Sequence, residues 1–125
     1  MPRVRSGSLS AAFYFAARGI IYVFRTQRNM RIHVCAAAGV LVLAGILGVS
    51  RVEVAVLLLC ILAVLTLEML NTVVEAVVDL ATEQYHPLAK IAKDMAAGAV
   101  LVMAIGAAAI GLLILGPPLV QAIGW

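Results

Sequence analysis

Charge is scarce in this chain. Of 125 residues, nine are Lys or Arg and six are Asp or Glu, 12% together, while 65% are hydrophobic. So few charges cannot cover a globular surface, and they come in blocks between long apolar runs, so the expected solvent is lipid. Aromatics are also few, at 6%, and no Lys/Arg face is interleaved with them. The formal net charge of +3 therefore reads as a basic membrane-facing segment, and no nucleic-acid partner is expected. Cys35 and Cys60 both fall in apolar stretches without a second cysteine at metal-ligand spacing, which marks them as packing residues. His33 and His86 lie in different charge blocks and make a poor zinc pair. Neither a G-x-x-x-x-G-K-[ST] loop nor a kinase glycine-rich loop is present, so a nucleotide would have to be held by basic side chains and a carboxylate-bound cation. The first apolar stretch leads into arginines instead of a small-residue cleavage site, so the amino terminus is expected to persist.

The apolar segments that remain set the architecture. From Leu9 to Phe24, Leu9, Phe13, Ile20 and Phe24 recur near helical spacing with Ala16 and Ala17 between them, which predicts an amphipathic helix on the membrane surface. A first span is expected from about Ile32 to Val49, with the turn at Ser50-Arg51-Val52-Glu53. A second begins near Val52 and has no Gly or Pro to stop it before Pro87, and a third runs from Met95 to Leu115, closed by Gly116-Pro117-Pro118. The fold class is thus an all-α membrane protein, three transmembrane helices plus the surface helix, as one domain over residues 1–125. Arg3, Arg5, Arg18, Arg25, Arg28, Arg31, Lys90 and Lys93 fall on one side and Arg51 on the other. That places the amino terminus and the 80–94 loop in the cytoplasm. The pairs Ala104-xxx-Ala108, Ala107-xxx-Gly111 and Ala44-xxx-Gly48 have the spacing of close helix packing.

The second span carries the chemistry. Glu68, Asn71, Thr72, Glu75, Asp79, Thr82, Glu83 and His86 follow helical spacing and form one polar stripe. Facing lipid, its three deeper carboxylates, at about 3 kcal/mol each, would cost roughly 8 to 10 kcal/mol, so the stripe must meet protein, water, metal or ligand. A three-helix monomer offers little interior, so a homo-oligomer with the stripe at the subunit boundary is expected. At about 1.5 Å per residue, Glu68 lies about 24 Å from Val52, near the edge of a hydrocarbon core about 30 Å thick. A transport site would sit nearer the midplane. Carboxylates at headgroup depth suit a general base for a lipid hydroxyl and ligands for Mg²⁺, and Lys90, Lys93 and Asp94 share a face on which Lys can stabilise phosphate charge. A non-catalytic structural or accessory subunit, whose stripe binds a partner, is the alternative.

The run Glu68-Met69-Leu70-Asn71-Thr72-Val73-Val74-Glu75-Ala76-Val77-Val78-Asp79, the block Tyr85-His86-Pro87-Leu88-Ala89-Lys90-Ile91-Ala92-Lys93-Asp94 and the segment Arg25 to His33 resemble the prokaryotic diacylglycerol kinase and undecaprenol kinase family. The likeness extends from about Ser8 to Leu115 and is nearest to the undecaprenol branch. It implies a homotrimer in the bacterial inner membrane that transfers the γ-phosphate of ATP to a lipid alcohol, with the site on the cytoplasmic face. It also implies Glu68 as general base with Asn71 positioning it, and Glu75 as the Mg²⁺ ligand and nucleotide contact. Further ATP contacts are implied at Phe15, Gln27, Gln84, Tyr85, His86, Lys93 and Asp94, and lipid contacts at Glu68, Arg31 and Ala97. Asp79 would support the site. Gln27 and Gln84 stand where many relatives carry Glu. A neutral amide offers Mg²⁺ an oxygen but no charge, so the second metal ligand, Gln27, is expected to be weak.

Overall fold

A computed structural model describes residues 7–125; Arg3 and Arg5 lie outside the described residues. Four helices follow in order: α1 (Leu9–Thr26), α2 (Arg28–Leu47), α3 (Arg51–Ala81) and α4 (Pro87–Ala122). The last three are long and apolar enough to cross a membrane, and large apolar side chains such as Ile46, Leu59, Leu101, Leu112 and Leu113 point outward along them. In water that surface would drive aggregation; in a bilayer it is the solvated face.

Each boundary has a local cause. The Ser8 hydroxyl accepts a hydrogen bond from the Ala11 N–H at 3.2 Å and starts α1. Gln27, in extended conformation, separates α1 from α2. Across that break the Arg31 guanidinium donates to the carbonyls of Phe24 (3.0 Å) and Arg25 (2.9 Å), two acceptors that the end of α1 leaves free. α2 ends at Gly48, whose φ of 65° suits a residue without a Cβ. Ser50 then opens α3 through a reciprocal capping box with Glu53. The return between the first two spans is therefore Gly48 to Ser50, and Arg51-Val52-Glu53 form the first helical turn, not the turn expected from the sequence.

Two other expected boundaries move. α3 stops at Ala81 instead of continuing toward Pro87, because the Thr82 hydroxyl accepts from the Gln84 N–H (3.2 Å) and donates to the Gln84 carbonyl (3.1 Å). This local turn competes with the helix. The stripe is helical from Glu68 to Asp79 and passes into a loop at Thr82, Glu83 and His86. At the other end, α4 runs through Pro117 and Pro118 to Ala122. Gly116 has no Cβ to clash with the ring of Pro117, and the proline φ is already helical, so Gly-Pro-Pro continues the helix instead of closing it.

At about 1.5 Å per residue, the 31-residue α3 and the 36-residue α4 extend about 46 and 54 Å, well beyond a hydrocarbon core about 30 Å thick. Their excess leaves a polar end, formed by the end of α3 and the start of α4, with α1 packed against α2 and α3. The opposite end holds the apolar core of Ala44, Leu57 and Leu115, flanked by Val40, Leu43, Leu47 and Ile114. Between the two, α2, α3 and α4 enclose an open groove of about 500 Å³ walled by His33, Ala37, Val64, Ala104, Ala107 and Gly111, among others. Small side chains on α4 leave it empty: a methyl added at Gly111 would meet nothing within 4 Å. The small-xxx-small spacing of α4 thus borders a cavity within this chain, not a close helix crossing.

Candidate active site

Polar side chains cluster on α3 just past the groove. Glu68 is 2% exposed, and Asn71 and Thr72 are buried with it. The Thr72 hydroxyl turns back to the Glu68 carbonyl at 3.1 Å, which is the usual way a helical threonine satisfies itself. The Asn71 side-chain N–H donates to Glu75 Oε1 at 3.4 Å, while its own Oδ1 is buried without a partner. Glu75 is half-buried and Asp79 exposed. The stripe therefore runs from interior to solvent along about three helical turns. Its deep end is hidden inside a single chain, so burying Glu68 does not itself require a second subunit.

Beside the Glu68 carboxylate the structure places a second ionisable group. His33, from α2, brings Nε2 to 3.7 Å from Glu68 Oε2. An ionisable residue within an apolar span is itself a pointer to function, and Ile32-His33-Val34 carried that signal.

Beyond Glu75 a second cavity, of about 450 Å³, opens around the α3–α4 loop. Gln84, Tyr85, His86, Lys93 and Asp94 line it together with Asp79, so five of the expected nucleotide contacts share one pocket. His86 caps α4, its Nδ1 accepting from the Leu88 N–H at 3.1 Å, with Pro87 at the first helical position. Lys90 pairs with Asp94 at 2.5 Å, one turn apart. Lys93 reaches from α4 to Asp79 on α3 at 2.6 Å and ties the two helices together beside the loop.

Other expected site residues lie elsewhere. Phe15 is exposed on α1, edge-on to Tyr14, and lines neither cavity. Gln27 spends its amide N–H on the Thr26 hydroxyl at 3.4 Å, Arg31 closes the end of α1, and Ala97 is exposed on α4 outside both cavities. Among the described residues no three His, Cys, Asp or Glu side chains gather as a metal cage. What is present is one half-buried carboxylate, Glu75, with the orphaned Asn71 oxygen on the same helix face, one turn away. Hard oxygens in that number fit Mg²⁺ arriving with phosphates, since Mg²⁺ keeps waters and substrate oxygens and needs one or two carboxylates.

The family described as prokaryotic diacylglycerol kinase matches residues 14–115. The chain is 49% identical over 115 residues to a diacylglycerol kinase of Synechocystis sp., covering 91% of this chain and 66% of the relative. It is 46% identical to an undecaprenol kinase of Bacillus subtilis, covering 86% and 88%, and 37% identical to a diacylglycerol kinase of Pseudomonas aeruginosa, covering 73% of each. The matched stretch holds all four helices in part or whole, the whole lining of the polar cavity and all of the groove's except Gly116 and Leu119. By its three spans, by the polar face of α3 and by these likenesses, the chain belongs to the prokaryotic diacylglycerol kinase family of membrane lipid kinases.

Proposed function

We propose that the chain transfers the γ-phosphate of ATP to a lipid alcohol at the cytoplasmic face of the bacterial inner membrane, with undecaprenol favoured over diacylglycerol. One observation carries the reading. Along α3 the buried Glu68 and half-buried Glu75 fall between Leu65, the last residue of that helix on the apolar groove, and Val78, its first on the polar cavity. A lipid chain in the groove would end with its hydroxyl at the acid cluster, and a nucleotide in the cavity would present its phosphates from the other side.

In this scheme Glu68 takes the hydroxyl proton as the lipid oxygen forms its bond to the γ-phosphorus and the bond to ADP breaks. The water-poor surroundings strengthen every charge interaction there. Asn71 holds the acid cluster in register through its bond to Glu75. Glu75, with Gln27 as a weaker second ligand, would hold Mg²⁺, which would supply positive charge to offset that of the phosphates. Lys93 and Asp94, with Gln84, Tyr85 and His86, line the nucleotide side. The orientation follows from charge: Arg18, Arg25, Arg28, Arg31, Lys90 and Lys93 collect at the polar end and Arg51 stands at the other. The homotrimer implied by the resemblance belongs to the same proposal and is read by native mass in lipid.

The preference for undecaprenol rests on Gln27-Arg28-Asn29 and Pro87-Leu88-Ala89-Lys90, which resemble that branch. A groove walled by Ala, Val and Leu separates chains weakly. The test is purified protein in lipid with labelled ATP and Mg²⁺, supplied separately with undecaprenol and with diacylglycerol. Label is expected on undecaprenol first; faster labelling of diacylglycerol would reverse the branch, and label on neither would remove the kinase reading.

A further inference from the structure

The Glu68 carboxylate is almost wholly removed from solvent, yet its own helix gives it no hydrogen bond. Thr72 bonds the Glu68 backbone carbonyl and Asn71 bonds Glu75. Across the helix interface, His33 Nε2 stands 3.7 Å from Oε2, with the His33 side chain 24% exposed and that of Glu68 2%. Among the described residues it is the one basic side chain within 4 Å of that carboxylate. His33 also stands on the wall of the apolar groove, so the imidazole touches both the path of a lipid chain and the acid at its end.

We infer that His33 is a positioning residue for Glu68: its Nε2–H holds Oε2, fixes the rotation of the carboxylate and leaves Oε1 to face the acceptor hydroxyl. The catalytic half of this inference rests on the kinase reading above, whereas the pairing itself does not. At 3.7 Å the pair stands within ion-pair range and short of a hydrogen bond; in the positioned state the two atoms close to about 2.9 Å. A carboxylate works as a base only with a lone pair directed at the proton within hydrogen-bond reach, and a buried one without a donor is free to turn away. During transfer the hydroxyl proton goes to Oε1 and ADP departs with the electrons of the broken P–O bond. His33 keeps its own proton throughout.

Two measurements decide it. Ring-nitrogen NMR needs no substrate, and the chain has only two histidines. Glu68→Gln should move the His33 ring resonances and leave those of His86 in place; unmoved His33 signals overturn the pairing whether or not the protein turns over. In the phosphoryl-transfer assay, His33→Leu should lower kcat by about 10- to 100-fold, the scale of a misplaced catalytic group, with KM for ATP and oligomer mass unchanged. His33→Gln, which keeps an N–H at similar reach, should recover most of that loss. Wild-type kcat in His33→Leu overturns the positioning role, as does a matching loss in His33→Gln. Absence of transfer by the wild-type protein to any alcohol would instead remove the kinase reading, with the resonance test still deciding the pair.

Discussion

The two ends of the helical bundle are built on opposite terms. At the end where α2 returns into α3, every local demand is met: Gly48 takes the left-handed cap, Ser50 and Glu53 satisfy each other's backbone, and Ala44, Leu57 and Leu115 fill the space between helices. At the polar end, helices overrun the expected hydrocarbon, a carboxylate lies buried with a histidine 3.7 Å away, and a buried amide oxygen has no partner. Unmet groups in a protein interior cost free energy. They persist where something else meets them, and here they border two cavities of contrasting chemistry. One end holds the bundle together; the other is left incomplete in a way that ATP, a cation and a lipid hydroxyl would complete.

Substitutions can break this contrast, and the largest effect is expected at Glu68. Glu68→Gln keeps size and a polar head but cannot accept the hydroxyl proton, so turnover should fall by about 10²- to 10⁴-fold with oligomer mass unchanged. Wild-type turnover would end the general-base role, and loss of assembly would turn Glu68 into a structural residue, as the accessory-subunit reading requires. Next is the groove. Ala107→Phe would fill part of it, and should raise KM for the lipid roughly tenfold, the order set by displacing about two buried methylenes at about 0.8 kcal/mol each, while KM for ATP stays. If a neighbouring copy fills the groove instead, the same substitution disrupts the oligomer, which a native mass would reveal.

Much of this was legible in the residues, and the exceptions share a cause. The spans followed from long apolar runs, and the acid stripe from Glu68 to Asp79 followed from helical spacing, because both are properties of one segment at a time. The end of α3 depended on whether Thr82 would bond forward to Gln84, and the passage of α4 through Pro117 depended on the missing Cβ at Gly116. Both are contests between local options of similar energy. The His33–Glu68 approach joins two helices, and nothing in either segment announces its partner. The groove is less legible still, since it is a place where side chains fail to meet. Arg31 carries a second such contact: its guanidinium crosses the break at Gln27 and closes the end of α1, which the spacing within either helix does not announce.

A smaller change is expected at Gln27, which tests whether the polar end lacks a ligand. Gln27→Glu adds a charge at the junction of α1 and α2, and should lower the Mg²⁺ concentration for half-maximal turnover by a few-fold, since charge count tunes the affinity of hard-cation sites. An unchanged Mg²⁺ dependence would remove Gln27 from the metal site and leave Glu75 as the protein's single acidic ligand.

The smallest effect on turnover belongs to the closed end. Ser50→Ala deletes one half of the capping box, in which the Ser50 hydroxyl accepts from the Glu53 N–H at 3.2 Å and Glu53 returns to the Ser50 N–H at 3.2 Å. The loss should be about 1 kcal/mol of stability, seen as a lower midpoint when the protein is unfolded from mixed micelles by a denaturing detergent. kcat and both KM values should hold, because the cap lies about 25 Å along α3 from Glu68 at 1.5 Å per residue. A fall in kcat without a fall in stability would show that the return turn communicates with the acid cluster, and the division of the bundle into a holding end and a working end would have to be abandoned.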